Sequence, residues 1–256
     1  DGTGFDALHR YFAYGSSAVS SEKTVYQFDT DNSNRFAEMG DGCLVVLSDT
    51  ALRMLGADGS EIWSANVQMT APALVQGGGK IAAYDVGGTA VYVLDENGEQ
   101  MELTAEGPIV SASLNNSGML AVTSQVSGTK GRVDVYTADG STLAEVNAHR
   151  RFVADACVTE DGKSLSVVLM GQEDGTFVSD VSFYDLTRPG EAEVTADYEV
   201  QDGLVTAMGC HGSSILTVTD TCFASGRANG KLTGTYSYDG EYLREYDLGG
   251  DGFTAL

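Results

Sequence analysis

The sequence predicts an all-β chain, a β-propeller of four-stranded antiparallel blades, on three observations. Hairpins turning at Asp-Gly or Asn-Gly recur along the chain at the roughly 40 to 50 residue period of such repeats. Before each hairpin lies a second pair of apolar runs, so one repeat holds four strands. Helical periodicity is weak throughout, residues 6–11 being the best helix candidate.

The first hairpin joins residues 51–55 to 61–65 through Asp58-Gly59. The second joins 90–94 to 100–104 through Asn97-Gly98, and the third joins 132–136 to 142–146 through Asp139-Gly140. A degenerate copy spans 181–196 around Arg188-Pro189-Gly190, and the last joins 235–238 to 242–246 through Asp239-Gly240. Asp-Gly and Asn-Gly favour type I′ turns, in which both central residues take positive φ. The preceding pairs run over 73–84, 109–123, 153–169 and 204–218. Their second members are near-continuous Val, Leu, Ile and Ala, as expected of a strand covered on both faces. The reading is one domain over 1–256, with five recognisable blades at about 36–68, 72–106, 109–148, 153–202 and 204–248. Residues 24–28 form an orphan outer strand, and 253–256 start a further blade.

Fourteen basic against 37 acidic residues give a net charge of −23, which repels nucleic acid and anionic lipid. No run approaches the roughly 18 apolar residues of a membrane-spanning helix. The chain begins at Asp1, so an export signal or anchor is expected to precede it. Cys43, Cys157, Cys210 and Cys222 lack zinc-binding spacing. With Cys210 in a turn and Cys222 in a loop on opposite faces, four free thiols are expected.

The stretch Ala57-Asp58-Gly59-Ser60-Glu61-Ile62-Trp63 resembles the Asp-Gly-x-x-x-Trp blade signature of quinoprotein-like (PQQ-type) propellers. That resemblance implies that Trp63 docks against the next blade. It also implies a quinone cofactor on a tryptophan and a calcium site, roles onto which no residue of this chain maps, so no cofactor is expected. The opening 8–15 and 25–29 look like the start of a family of uncharacterised bacterial propellers. That likeness implies an N-terminal membrane anchor and an extracytoplasmic location. The Gly-His and Trp-Asp pairs of WD40 repeats and the Asp-x-Gly of sialidase propellers are absent.

Among connections, those between second and third strands lengthen along the chain: 49–50, 124–131, 171–176 and 219–230. Long loops on one face of a rigid scaffold are where binding resides. Lys130, Arg132, Arg150, Arg151, Arg227 and Lys231 are expected on or beside that face, a local reversal of charge that reads either as ordinary solvated loop charges beside Glu173 and Asp174 or as a site for an anion or acidic partner. Tyr136, Tyr184 and Tyr238 read as packing between blades. Asp29, Asp31 and Ser33 alternate like the start of a calcium loop, but the glycine and glutamate that complete one are missing. His9, His149 and His211 are isolated, and no nucleophile or phosphate-loop motif is present. The expectation is a non-enzymatic binding or scaffolding protein engaging protein or cell-envelope polymer. The alternative is an enzyme on a propeller scaffold, a quinoprotein-type dehydrogenase or a polysaccharide-acting one. Open blade edges would permit oligomers.

Overall fold

β-Branched and aliphatic runs between glycine turns fold into five successive four-stranded antiparallel sheets. They are seen in a computed structural model that describes residues 34–200, 204–248 and 254–255. The first sheet is β1 (Arg35–Met39), β2 (Cys43–Leu47), β3 (Ala51–Leu55) and β4 (Glu61–Asn66). The second is β5 (Pro72–Gly77), β6 (Lys80–Asp85), β7 (Ala90–Asp95) and β8 (Gly98–Thr104). The third is β9 (Ile109–Leu114), β10 (Leu120–Ser124), β11 (Gly131–Tyr136) and β12 (Thr142–Ala148). The fourth starts with β13 (Phe152–Val158), β14 (Ser164–Glu173) and β15 (Thr176–Asp185). The chain then crosses as β16 (Gly190–Glu191) to run parallel to β12, and returns as β17 (Val194–Val200), the fourth sheet's outer strand. The fifth is β18 (Val205–His211), β19 (Ser214–Thr219), β20 (Cys222–Arg227) and β21 (Lys231–Ser237). A two-stranded pair, β22 (Tyr246–Asp247) with β23 (Thr254–Ala255), follows. The helix candidate at 6–11, the outer strand at 24–28 and the calcium candidate Asp29, Asp31 and Ser33 lie outside the described residues.

Each pair of consecutive sheets encloses one apolar core, four in all among the described residues. The second strand of a sheet serves two of them: Ile81 and Ala83 of β6 enter the core with the first sheet, Ala82 and Tyr84 the core with the third. β10 divides in the same way, Ala121 facing the fourth sheet and Leu120 and Val122 the second. Occupation of both faces is the physical reason these strands read as unbroken apolar runs. Tyr136 and Tyr184 pack in the cores on either side of the third sheet. Tyr238 instead follows the outer strand β21. Trp63 of β4 lies against Gly98 at the start of β8, where a Cβ would come within 3.0 Å of the indole.

Three of the four Asp-Gly and Asn-Gly turns differ from expectation, while at Asp239-Gly240 both residues have positive φ, +53° and +86°. In Asp58-Gly59, Asn97-Gly98 and Asp139-Gly140 only the glycine has positive φ, at +81°, +114° and +88°. These are type I turns closed by a glycine bulge, and the pairing shifts by one residue in each hairpin. The aspartate accounts for the first and third: its carboxylate accepts a backbone N–H two residues on, from Ser60 at 2.9 Å and from Ser141 at 3.0 Å. Both central residues are positive at Asp174-Gly175, where β14 and β15 continue as paired strands. The expected loop over 171–176 is therefore the end of a ten-residue hairpin.

A larger correction concerns the fifth sheet. Residues 219–230 hold the third strand, β20, and 242–245 are not a strand. The run Cys222-Phe223-Ala224-Ser225-Gly226 is a strand, its start fixed by Thr219. That hydroxyl donates to the Cys222 carbonyl (2.9 Å) and accepts the Cys222 N–H (2.8 Å), making a tight link from β19.

Candidate functional site

β13 and β18 run side by side in the same direction: the Asp155 carboxylate accepts the Met208 N–H at 3.2 Å, and Cys157 is bonded to Cys210. This fixes two rims. One, the loop rim, carries the 125–130 loop, the 149–151 crossover and the free end of the β14–β15 hairpin. The opposite rim carries the turns at Gly59, Gly98, Gly140 and Gly162.

Of the six basic residues, Lys130, Arg132, Arg150 and Arg151 stand on the loop rim of the third and fourth sheets. Arg227 and Lys231 are paired across the β20–β21 turn on the opposite rim, because the chain between them and β19 is a strand. Arg132 is consumed locally, with Glu106 at 2.9 Å, Asp134 at 2.7 Å and Glu145 at 2.9 Å. Burial pushes the Asp134 carboxyl up despite the opposing pull of Arg132. Arg151 pairs with Glu173 and Asp180, its stem covering Gly171, and so clamps the β14–β15 hairpin at its root.

Beyond Met170, β14 has no partner in β13, and before Ser179, β15 has none in β17. Among the described residues, 171–178 therefore pair only with one another, as a two-stranded arm. Phe177 stands on it 67% exposed, and Phe152 at the start of β13 is 54% exposed. The Lys130 ammonium sits 4.5 Å from the centre of the Phe152 ring. Neither phenylalanine was singled out in the sequence. The signal for Phe177 was there, an aromatic two residues after an Asp-Gly turn, but the segment read as a loop.

Between the sheets lies a cavity of about 690 Å³, walled by β5, β9, β13 and β18 together with Tyr246 and Leu248. Its wall contains the Cys157–Cys210 disulfide, Cα atoms 6.1 Å apart. This overturns the expectation of four free thiols. β18 continues through His211, so Cys210 is in an innermost strand and not in a turn, and both cysteines are the sixth residue of their strands. Aligning the two repeats strand by strand would have shown the match. Cys43 and Cys222 are buried and take no part in a disulfide.

Asp155 lies beside the disulfide. β9, β13 and β18 each break register near their start, and just past two of these breaks the Asp155 carboxylate accepts N–H groups, from Ala156 at 2.9 Å and from Met208 at 3.2 Å. Burial pushes the Asp155 carboxyl up, while the Ser111 side chain and the two N–H groups pull the other way without cancelling it. A raised folded-state value means that stability present at low pH is lost as pH rises through it. The neutral Asp155→Asn has no such loss. The margin of the wild type over Asp155→Asn, from urea midpoints between about pH 3.5 and 7, is expected to shrink as pH rises. A margin that widens would show that the N–H bonds outweigh burial.

The profile of a family described as "Family of unknown function (DUF5711)" matches residues 12–239. No curated protein matches the chain. Among solved structures it is similar to Hsv2p of Kluyveromyces lactis, with 13% identity over 84% of this chain and 76% of that one at a TM-score of 0.57. It is also similar to hydrazine synthase of Kuenenia stuttgartiensis, with 14% identity over 88% of this chain and 72% of that one at the same TM-score. At these identities the likeness shows the fold alone, which is propeller-like.

Proposed function

The chain belongs to this family of unknown function, and from that premise we propose that it is a non-enzymatic binding or scaffolding propeller that engages a protein partner outside the cytosol. The observation that carries the reading is the hairpin arm 171–178, clamped by Arg151 and presenting the exposed Phe177 on the rim where β13 begins with the exposed Phe152. A rigid stack of sheets with an aromatic arm on one rim has the anatomy of a recognition surface. In this reading the five sheets and the β22–β23 pair belong to one closed ring. Support comes from the single cavity onto which the second to fifth sheets and Tyr246 converge. The packing of Trp63 on Gly98 fits a quinoprotein-type blade plan. An extracytoplasmic setting is supported by the Cys157–Cys210 bond, since structural disulfides persist in oxidising compartments.

A photocrosslinking amino acid placed at Phe177 in cells is expected to give one discrete protein adduct. The same group at Glu102, on an outer strand, should not give it. The same adduct from both positions, or none from Phe177, would remove the reading.

A further inference from the structure

We propose that the cavity between the sheets binds a small organic ammonium ion, Asp155 taking the cationic head and the apolar part of the wall taking its body. The site is separate from the arm, since no residue of 171–178 lines the cavity.

Two amides of the wall are already committed. Asn115 donates to the Thr159 carbonyl at 3.0 Å, and its side-chain oxygen accepts the N–H groups of Ser117 and Met119. Asn116 donates to Glu160 at 3.1 Å and accepts the Gly78 N–H at 3.2 Å. The strongest acceptors left are the carboxyl oxygens of Asp155 and Glu160. Each Asp155 oxygen accepts one backbone N–H, which leaves lone pairs unused, and burial outweighs those bonds. No lysine or arginine stands among the described residues of the wall, so the charge that would complete this carboxylate does not come from the protein. The protein thus keeps a buried carboxyl at a cost to its own stability as pH rises, and such a cost at a cavity is a mark of a binding site.

A cationic ligand completes the carboxylate. An anion would meet two carboxyl groups with no cationic side chain beside them. A neutral molecule would meet Asp155 in its protonated form and gain nothing from the field of a chain of charge −23, which gathers cations around it. A metal ion needs more ligands than the wall offers, because no group of three or more His, Cys, Asp or Glu side chains among the described residues is placed to hold one. Leu74, Leu114, Val158 and Met208 line the same space, a wall for an alkyl or aromatic body, and about 690 Å³ is a volume usual for small-molecule sites.

The probe is phenethylammonium, titrated calorimetrically into the intact protein at neutral pH beside the neutral phenethyl alcohol and the anion phenylacetate. The ammonium ion is expected to bind about tenfold or more tighter than the alcohol, because its bond to the carboxylate is charge-assisted, and phenylacetate is expected not to bind. Asp155→Asn should remove the advantage of the ammonium ion over the alcohol. The wild type supplies a second reading, which decides if that variant fails to fold. The bound cation holds Asp155 ionised, so below the raised value of that carboxyl binding expels a proton, and affinity climbs with pH by up to about tenfold per unit. The other ionisable side chains of the wall are Tyr84 of β6, Glu160, His211 of β18 and Tyr246 of β22. Glu160→Gln and His211→Gln should keep the climb, and Asp155→Asn should lose it. The proposal is overturned if phenethylammonium does not bind, if the alcohol binds as tightly, if binding to the wild type expels no proton at any pH, or if folded Asp155→Asn keeps the preference for the cation.

Discussion

Loss of the Cys157–Cys210 bond, through Cys157→Ala with Cys210→Ala or through reductant, is expected to destabilise the protein by about 4 kcal/mol. The two residues are 53 apart in sequence, and closing a loop of that size removes chain entropy from the unfolded state by roughly this amount. For a chain of this size the melting temperature should fall by roughly 10 °C. Cys43→Ala, which removes a buried thiol without cutting a cross-link, serves as the comparison. Urea unfolding with and without reductant is the measurement. Equal midpoints would show that the bond does not form. Thiol titration in denaturant gives an independent reading: two reactive thiols, Cys43 and Cys222, are expected before reduction, and the chain's four cysteines after it.

The second large effect is expected at Gly77. This residue ends β5, and the space a Cβ would need is occupied by the backbone carbonyl of Leu114 in the next sheet. Its neighbour Gly78, at φ +59°, is pressed against the Asn116 backbone and donates its N–H to the Asn116 side chain at 3.2 Å. Two turns of adjacent sheets meet here backbone to backbone, with no flexible side chain to give way. Gly77→Ala is expected to cost about 3 kcal/mol by forcing the second and third sheets apart. Gly79→Ala controls for turn strain. Gly79 has φ +73° with open space around it, so its substitution should cost about 1 to 2 kcal/mol for the left-handed backbone alone. Similar midpoints for the two variants would show that the contact between sheets yields.

Most of the repeat could be read from the sequence because its cause is local. Leu120 to Ser124 is apolar or small throughout, since one side of the strand faces the second sheet and the other the fourth. The fifth sheet was misread because β20 lacks that double burial. Its residues Ser225 and Arg227 are partly or fully exposed, and the later Asp239-Gly240 turn offered a more familiar hairpin signal. That single displacement moved Arg227 and Lys231 to the wrong rim and Cys222 into a loop. The binding face was half legible. Lys130 and Arg150 stand where the loop map put them. Which cations remain available depends on Glu106 and Asp180, residues distant in sequence that only the folded chain brings to Arg132 and Arg151. Asp155 gave no signal, because one of its two N–H partners, Met208, lies on another sheet and 53 residues away in sequence.

The excursion of the chain as β16 has a mechanical meaning. The third sheet is tied to the fourth on the outside by Gly190-Glu191 alongside β12, and the fourth to the fifth on the inside by the disulfide. Cross-ties on opposite sides of a middle plate resist both hinging and shear, as bracing does in a frame. The arm is rooted in that braced plate through Arg151 and Asp180. A tethered partner pulling on Phe177 would therefore load a covalent strut and a hydrogen-bonded tie before any apolar seam began to open.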